Sequence, residues 1–143
     1  MRMPALACLL LLITANASAD PIASGAIQVI DADTITASGK TLSLLGFDPP
    51  EAGMYANCES ERTLADKAAL KLRQLVAGGD LDLAVAQCSC PAGTEATQAC
   101  NSGRGCGVLK VAGKDVADLL IADGLARSFV CSGTRCPRRE PWC

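Results

Sequence analysis

Five short runs rich in β-branched residues and leucine, a helix-period segment between the third and fourth, and glycine-marked turns predict a mainly β domain with α additions. The order fits a five-stranded barrel of the oligonucleotide-binding type, with one helix between strands three and four and a second short helix after strand five. A chain of 143 residues accommodates one such domain, and no repeat or low-complexity linker divides it.

Taken in order, residues 1–19 read as a removable secretory signal. Arg2 gives a positive start, residues 5–13 an apolar core, and Ala17, Ser18 and Ala19 a small-residue cleavage site. That leaves a barrel domain over residues 20–130 and a cysteine-tethered tail over residues 131–143. The first strand is expected at residues 26–30. Asp31, Ala32 and Asp33 form an acidic corner before the second, at residues 34–37. Ser38, Gly39 and Lys40 then reverse the chain into the third, at residues 41–45. Alternation there sends Leu42 and Leu44 one way, Ser43 and Leu45 the other. Gly46 permits a bend before Phe47 and Asp48, and Pro49 and Pro50 end strand pairing.

From residue 60 to 77 the period changes. Leu64, Ala68, Leu72 and Leu75 recur at helical steps, with Glu61, Arg62, Asp66, Lys67, Lys71 and Arg73 assigned to the wetter sides. Gly78 and Gly79 stop the helix. A fourth strand follows at residues 80–86 and a fifth at 107–111, separated by a long polar connection that reads as non-core. A short helix over 115–123 ends near Gly124, and residues 125–130 read as an edge strand or extended cover.

Nine cysteines are encoded, and those beyond Cys8 are Cys58, Cys88, Cys90, Cys100, Cys106, Cys131, Cys136 and Cys143. An even set in a small exported domain predicts disulfides in an oxidising compartment, periplasmic or extracellular. Zinc is the competing use of the thiols, but the chain has no histidine. Roughly a hundred pairings of eight cysteines are open at this level.

The formal net charge of −2 rules out a strongly basic nucleic-acid footprint, and four aromatic residues give little material for a row of base-stacking platforms. Enzymatic handling of a transiently held anion remains compatible with both.

The acidic residues at the ends of the early strands have a specific chemical use. Asp33 and Asp48, brought together across strands, supply hard oxygen ligands for a divalent cation such as calcium. Glu51, after the rigid Pro49–Pro50 step, is in place to hold or deprotonate a water. Arg104, between Gly103 and Gly105, can grip two phosphate oxygens with its planar fork. The competing reading is that such residues serve turn formation and solvation, the commoner role of acids at turns and the simpler one for Asp31.

The ordered set VIDADTI, LSLLGFDPPE, the following helix, Gly103-Arg104 and VAGKDVADLLIADGLA resembles the thermonuclease, or staphylococcal nuclease-like, family over residues 27–126. The resemblance implies an oligonucleotide-binding barrel that cleaves phosphodiester bonds in DNA or RNA with Ca2+. It implies Asp33 and Asp48 as metal ligands, Glu51 as the residue assisting the attacking water, and Arg104 as one phosphate-clamping arginine. Where the family pattern has a second arginine, in the third strand, this chain has Ser43. Ala32, Pro49 and Ser102 also depart from the pattern.

The expected function is therefore a calcium-dependent exported nuclease that binds its DNA or RNA substrate weakly. The alternative is a catalytically weakened barrel that binds an oligomer or an envelope partner, and a disulfide-stabilised structural accessory is a third. Arg135, Arg138 and Arg139 form a positive cluster in the tail, expected to be solvated unless a disulfide folds the tail back onto the barrel.

Overall fold

A computed structural model describes residues 19–143, so the expected signal segment and Cys8 lie outside the described residues up to position 18. The first elements are β1 (Asp20–Ile22), β2 (Ile27–Asp31), β3 (Thr34–Ala37), β4 (Lys40–Leu44) and β5 (Gly46–Asp48). Helix α1 (Glu59–Ala77) precedes β6 (Leu81–Ala86), β7 (Gly105–Val111) and β8 (Lys114–Asp115). Helix α2 (Val116–Ala122) and β9 (Arg127–Phe129) complete the order. Among the described residues, no helix is long and apolar enough to cross a membrane.

The main sheet runs β1-β6-β7-β4-β3-β2, with β8 added on β7, and β5 pairs with β9 separately. β2, β3 and β4 form the antiparallel meander expected from their turns. The reversal between β3 and β4 is a two-residue loop in which Ser38 and Gly39 both take positive φ, the geometry whose twist matches a hairpin. β4 then lies parallel to β7, with Leu42 opposite Gly105. A Cβ at Gly105 would stand 2.7 Å from Leu42 Cδ2, so a larger residue there would push that buried side chain aside.

The sheet is curled, and its connectivity gives the reason. β1 and β2 lie at opposite ends of the strand order, yet only the short turn at Ser24–Ala26 and its flanking Ala23 separate them in sequence. Four residues reach at most about 14 Å, so the sheet's two ends are drawn toward each other. Ile35, Leu72, Leu109 and Leu120 are fully enclosed in the resulting core, at the junction of sheet and helices.

The five strands expected from the sequence coincide with β2, β3, β4, β6 and β7, β9 falls in the stretch read as an edge strand or cover, and β1, β5 and β8 are additional. Residues 125–130 do not extend the main sheet: β9 pairs with β5, with Asp48 opposite Arg127.

Two expectations are corrected. Glu61, expected on the wet side of the helix, is only 2% exposed, and the buried stripe of α1 runs Glu61, Ala65, Ala68, Ala69, Leu72, Val76. Backbone amides near the helix start draw that carboxylate inward. The polar connection before β7 was read as non-core, yet Cys90 and Cys100 are buried. Their disulfide gives this polar segment an interior of its own.

All eight cysteines beyond Cys8 are paired: Cys58–Cys143, Cys88–Cys106, Cys90–Cys100 and Cys131–Cys136. Two of these bridges brace the approach to Arg104, Cys58–Cys143 tethers the tail to the start of α1, and Cys131–Cys136 closes a small loop within the tail.

Candidate functional site

Asp33 ends the tight turn between β2 and β3. Asp31 Oδ1 accepts from the Ala32 amide at 2.7 Å, so Asp31 serves as the turn residue. Ala32 is completely buried against Ala68 and Ala69 of α1, which docks the corner on the helix and fixes where Asp33 emerges. Thr34 Oγ1 donates to Asp33 Oδ1 at 2.9 Å and itself accepts from Arg104 Nη1 at 3.0 Å. The carboxylate and the guanidinium are thus linked through the hydroxyl of Thr34, which is 70 positions from Arg104.

Arg104 is held by a residue that the sequence reading did not single out. Its Nε donates to the Asn101 carbonyl at 3.1 Å and its Nη2 to Asn101 Oδ1 at 3.1 Å. Asn101 Nδ2 also faces the Gly105 carbonyl at 3.3 Å. Asn101, Ser102 and Gly103 have φ values of 52°, 56° and 76°, a left-handed run that asparagine and glycine tolerate better than other residues. The Asn-Ser-Gly turn signal before Arg104 was the available clue.

Ser43, on β4, is 8% exposed, and its hydroxyl makes a long 3.4 Å contact to Asn101 Oδ1. Asp33, Ser43, Asn101 and Arg104 line a cavity of ≈ 430 Å³ together with Phe129 and Arg139. Asp48, on β5, lines a neighbouring depression in which Arg139 also takes part. Arg139 therefore forms the divide between the two.

Asp48 is 5% exposed, and its Oδ1 has no aligned hydrogen bond, although Arg139 Nε stands 3.3 Å away. Arg139 Nη1 donates to Glu51 Oε1 at 2.7 Å. The same guanidinium thus joins Asp48 to Glu51. Of the basic tail cluster, Arg139 is thus turned back onto the carboxylates while Arg135 and Arg138 make no ion pair among the described residues, and Cys58–Cys143 is the disulfide that folds the tail back.

Burial is the largest influence on all three site carboxyls and pushes each above its ordinary value. Asp33 is opposed by the Thr34 hydrogen bond and by the charges of Arg104 and Arg139, and is further raised by Asp31. For Asp48 and Glu51 the opposing charge is Arg139, and Asp33 raises both. The upward shifts identify partly desolvated acids with less positive charge around them than full ionisation requires.

Glu61 behaves in the opposite way. Its carboxylate accepts from the Asn57 amide at 2.7 Å and the Glu51 amide at 3.2 Å. The Asn57 backbone bond leads in holding it below the ordinary glutamate value, against its burial. Glu61 thereby ties the Glu51 segment to the first turn of α1. It also groups with Cys58 and Cys143, but those sulfurs are bonded to each other and offer no thiolate to a metal.

The carboxylates of Asp33, Asp48 and Glu51 are not drawn into an equally tight set, since Arg139 bridges the latter two. The donors present are carboxylate oxygens, the type a hard cation takes, and the Asp48 Oδ1 atom is buried with an ion-pair partner but no aligned hydrogen bond. No family model and no curated protein sequence matches this chain.

Proposed function

We propose that this chain hydrolyses phosphodiester bonds in DNA or RNA, with calcium as cofactor, outside the cytoplasm. The observation that carries the reading is the meeting of Asp33 with the braced guanidinium of Arg104 in one cavity, next to a depression lined by the buried Asp48. Four disulfides favour an oxidising compartment.

Asp33 and Asp48 would hold the cation, which when bound would polarise a phosphoryl oxygen and help orient a water. Arg104 keeps one N–H on each terminal nitrogen uncommitted, available to two oxygens of a phosphodiester. Because Asn101 and Thr34 fix the fork beforehand, little reorganisation accompanies the growth of charge on phosphorus-bound oxygen. Glu51 is the group to accept a proton from the attacking water as its oxygen bonds to phosphorus and the ester oxygen leaves. An elevated carboxyl pKa improves a base for that step.

The curled sheet is further read as a five-stranded oligonucleotide-binding barrel with β2, β3, β4, β7 and β6 as its staves. The short connection from β1 to β2, which joins opposite ends of the strand order, supports that reading.

One observation favours a second reading, a weakened barrel that binds an oligomer or envelope partner without cleaving it. Arg139 already neutralises Asp48 and Glu51, the groups that the chemistry needs free.

The deciding measurement is turnover of a short single-stranded DNA by purified mature protein, with calcium and with chelator, for wild type and Asp33→Asn. Hydrolysis should vanish on chelation and fall about a hundredfold or more in the variant, the scale of losing one preorganised electrostatic contact. Binding of the oligonucleotide with no turnover by wild type sinks the nuclease reading in favour of the second.

A further inference from the structure

We propose that Arg139 is the resident cation of Asp48 and Glu51, which a divalent cation must displace, so that the C-terminal strap sets the metal affinity of the site. This rests on the calcium reading above and deepens it.

The strap is anchored on both sides of Arg139. Before it, β9 pairs with β5 and Cys131–Cys136 tightens the loop that follows; after it, Cys58–Cys143 ties the chain end to the start of α1. Between these anchors, Arg127 Nη1 donates to the carbonyls of Glu140 and Pro141 at 3.0 Å each, and the Arg127 guanidinium lies 4.0 Å over Trp142. Arg139 is consequently presented to the carboxylates by a fixed backbone. Its own side chain is 56% exposed, with the guanidinium 5.5 Å from the centre of the Phe129 ring.

The two contacts differ in kind. Glu51 receives a short hydrogen bond, whereas Asp48 Oδ1 receives positive charge at 3.3 Å without an aligned N–H. A calcium ion binds carboxylate oxygen at about 2.3–2.6 Å, so an ion on Asp48 Oδ1 would lie within about 6 Å of the guanidinium nitrogen at its present place and be repelled by it. Metal entry therefore requires Arg139 to leave Asp48. Arg138 makes no ion pair among the described residues and provides the matched control.

The test is calorimetric titration of calcium into mature protein without nucleic acid, with folding of each variant checked by near-ultraviolet circular dichroism. Arg139→Gln should bind calcium about tenfold more tightly than wild type, equivalent to ~1.4 kcal/mol. Arg139→Lys should fall between them, and Arg138→Gln should match wild type. Cys58→Ser/Cys143→Ser, which frees the strap end, should shift affinity toward that of Arg139→Gln. Equal or weaker calcium binding by folded Arg139→Gln overturns the proposal while leaving the calcium site standing. Absence of calcium binding in wild type and every variant removes the calcium reading and this proposal together.

Discussion

Arg139 Nη1 and Glu51 Oε1 lie 2.7 Å apart, joining a tail guanidinium to a carboxylate 88 positions earlier. One helix end supports both partners. Cys58, the residue preceding the first turn of α1, is bonded to Cys143, while Glu61 in that turn holds the Glu51 amide. Disturbing this helix start should therefore move the Glu51 segment and the strap together.

Arg104 is expected to act on the developing phosphate charge. Arg104→Lys should lower kcat by about a hundredfold, because an ammonium cannot reproduce a two-pronged planar fork. Single-turnover kinetics beside substrate titration check this. A change confined to KM would indicate simple substrate binding.

Asn101 acts through Arg104. Asn101→Gly retains the left-handed backbone but removes the side-chain contacts to Arg104 and Gly105, and should cost about 1–2 kcal/mol of stability with about a tenfold loss of kcat. Urea unfolding and kcat measure the two effects. Ser43→Ala, which removes only a 3.4 Å contact, should change stability by less than about 1 kcal/mol.

The acids divide by sign in their effect on stability. The Glu61 pKa is lowered on folding, so its contribution is present above the unfolded value of 4.5 and is lost as pH falls through the lower folded value. Glu61→Gln should be less stable than wild type at neutral pH, and the gap should narrow below pH 4.5. Asp48 is raised above 3.8, so its contribution is greatest below that value and is lost as pH rises through the folded pKa. Asp48→Asn should gain stability relative to wild type as pH rises through that window. Thermal unfolding of calcium-free proteins across pH tests both signs.

The disulfides should differ in weight. In the chain-entropy account, Cys58–Cys143, with a separation of 85, contributes more than Cys131–Cys136, with a separation of 5. The expected contributions are about 4–5 and about 2 kcal/mol. Paired Cys→Ser variants compared by urea unfolding test the order, and equal losses would contradict it.

Local pattern in the sequence determined a good deal. The alternation of Leu42 and Leu44 against Ser43, the loop of Ser38 and Gly39, and the helical spacing through Ala68 and Leu72 are short-range signals, each fixed by backbone geometry within a few residues. They located β2, β3, β4, β6, β7 and both helices to within a residue or two. The even cysteine count similarly indicated disulfides, though no local rule could choose their partners.

Tertiary structure decided what depends on distant segments meeting. Glu61 is inside because the amides of Asn57 and Glu51 converge on it, and Asn101 matters because its loop returns beside Thr34. Most of all, the tail reaches Asp48 and Glu51 because Cys143 finds Cys58. A charge cluster read alone has water as its cheapest partner. Only a covalent tether that lowers the entropy of return makes the buried carboxylate the better one.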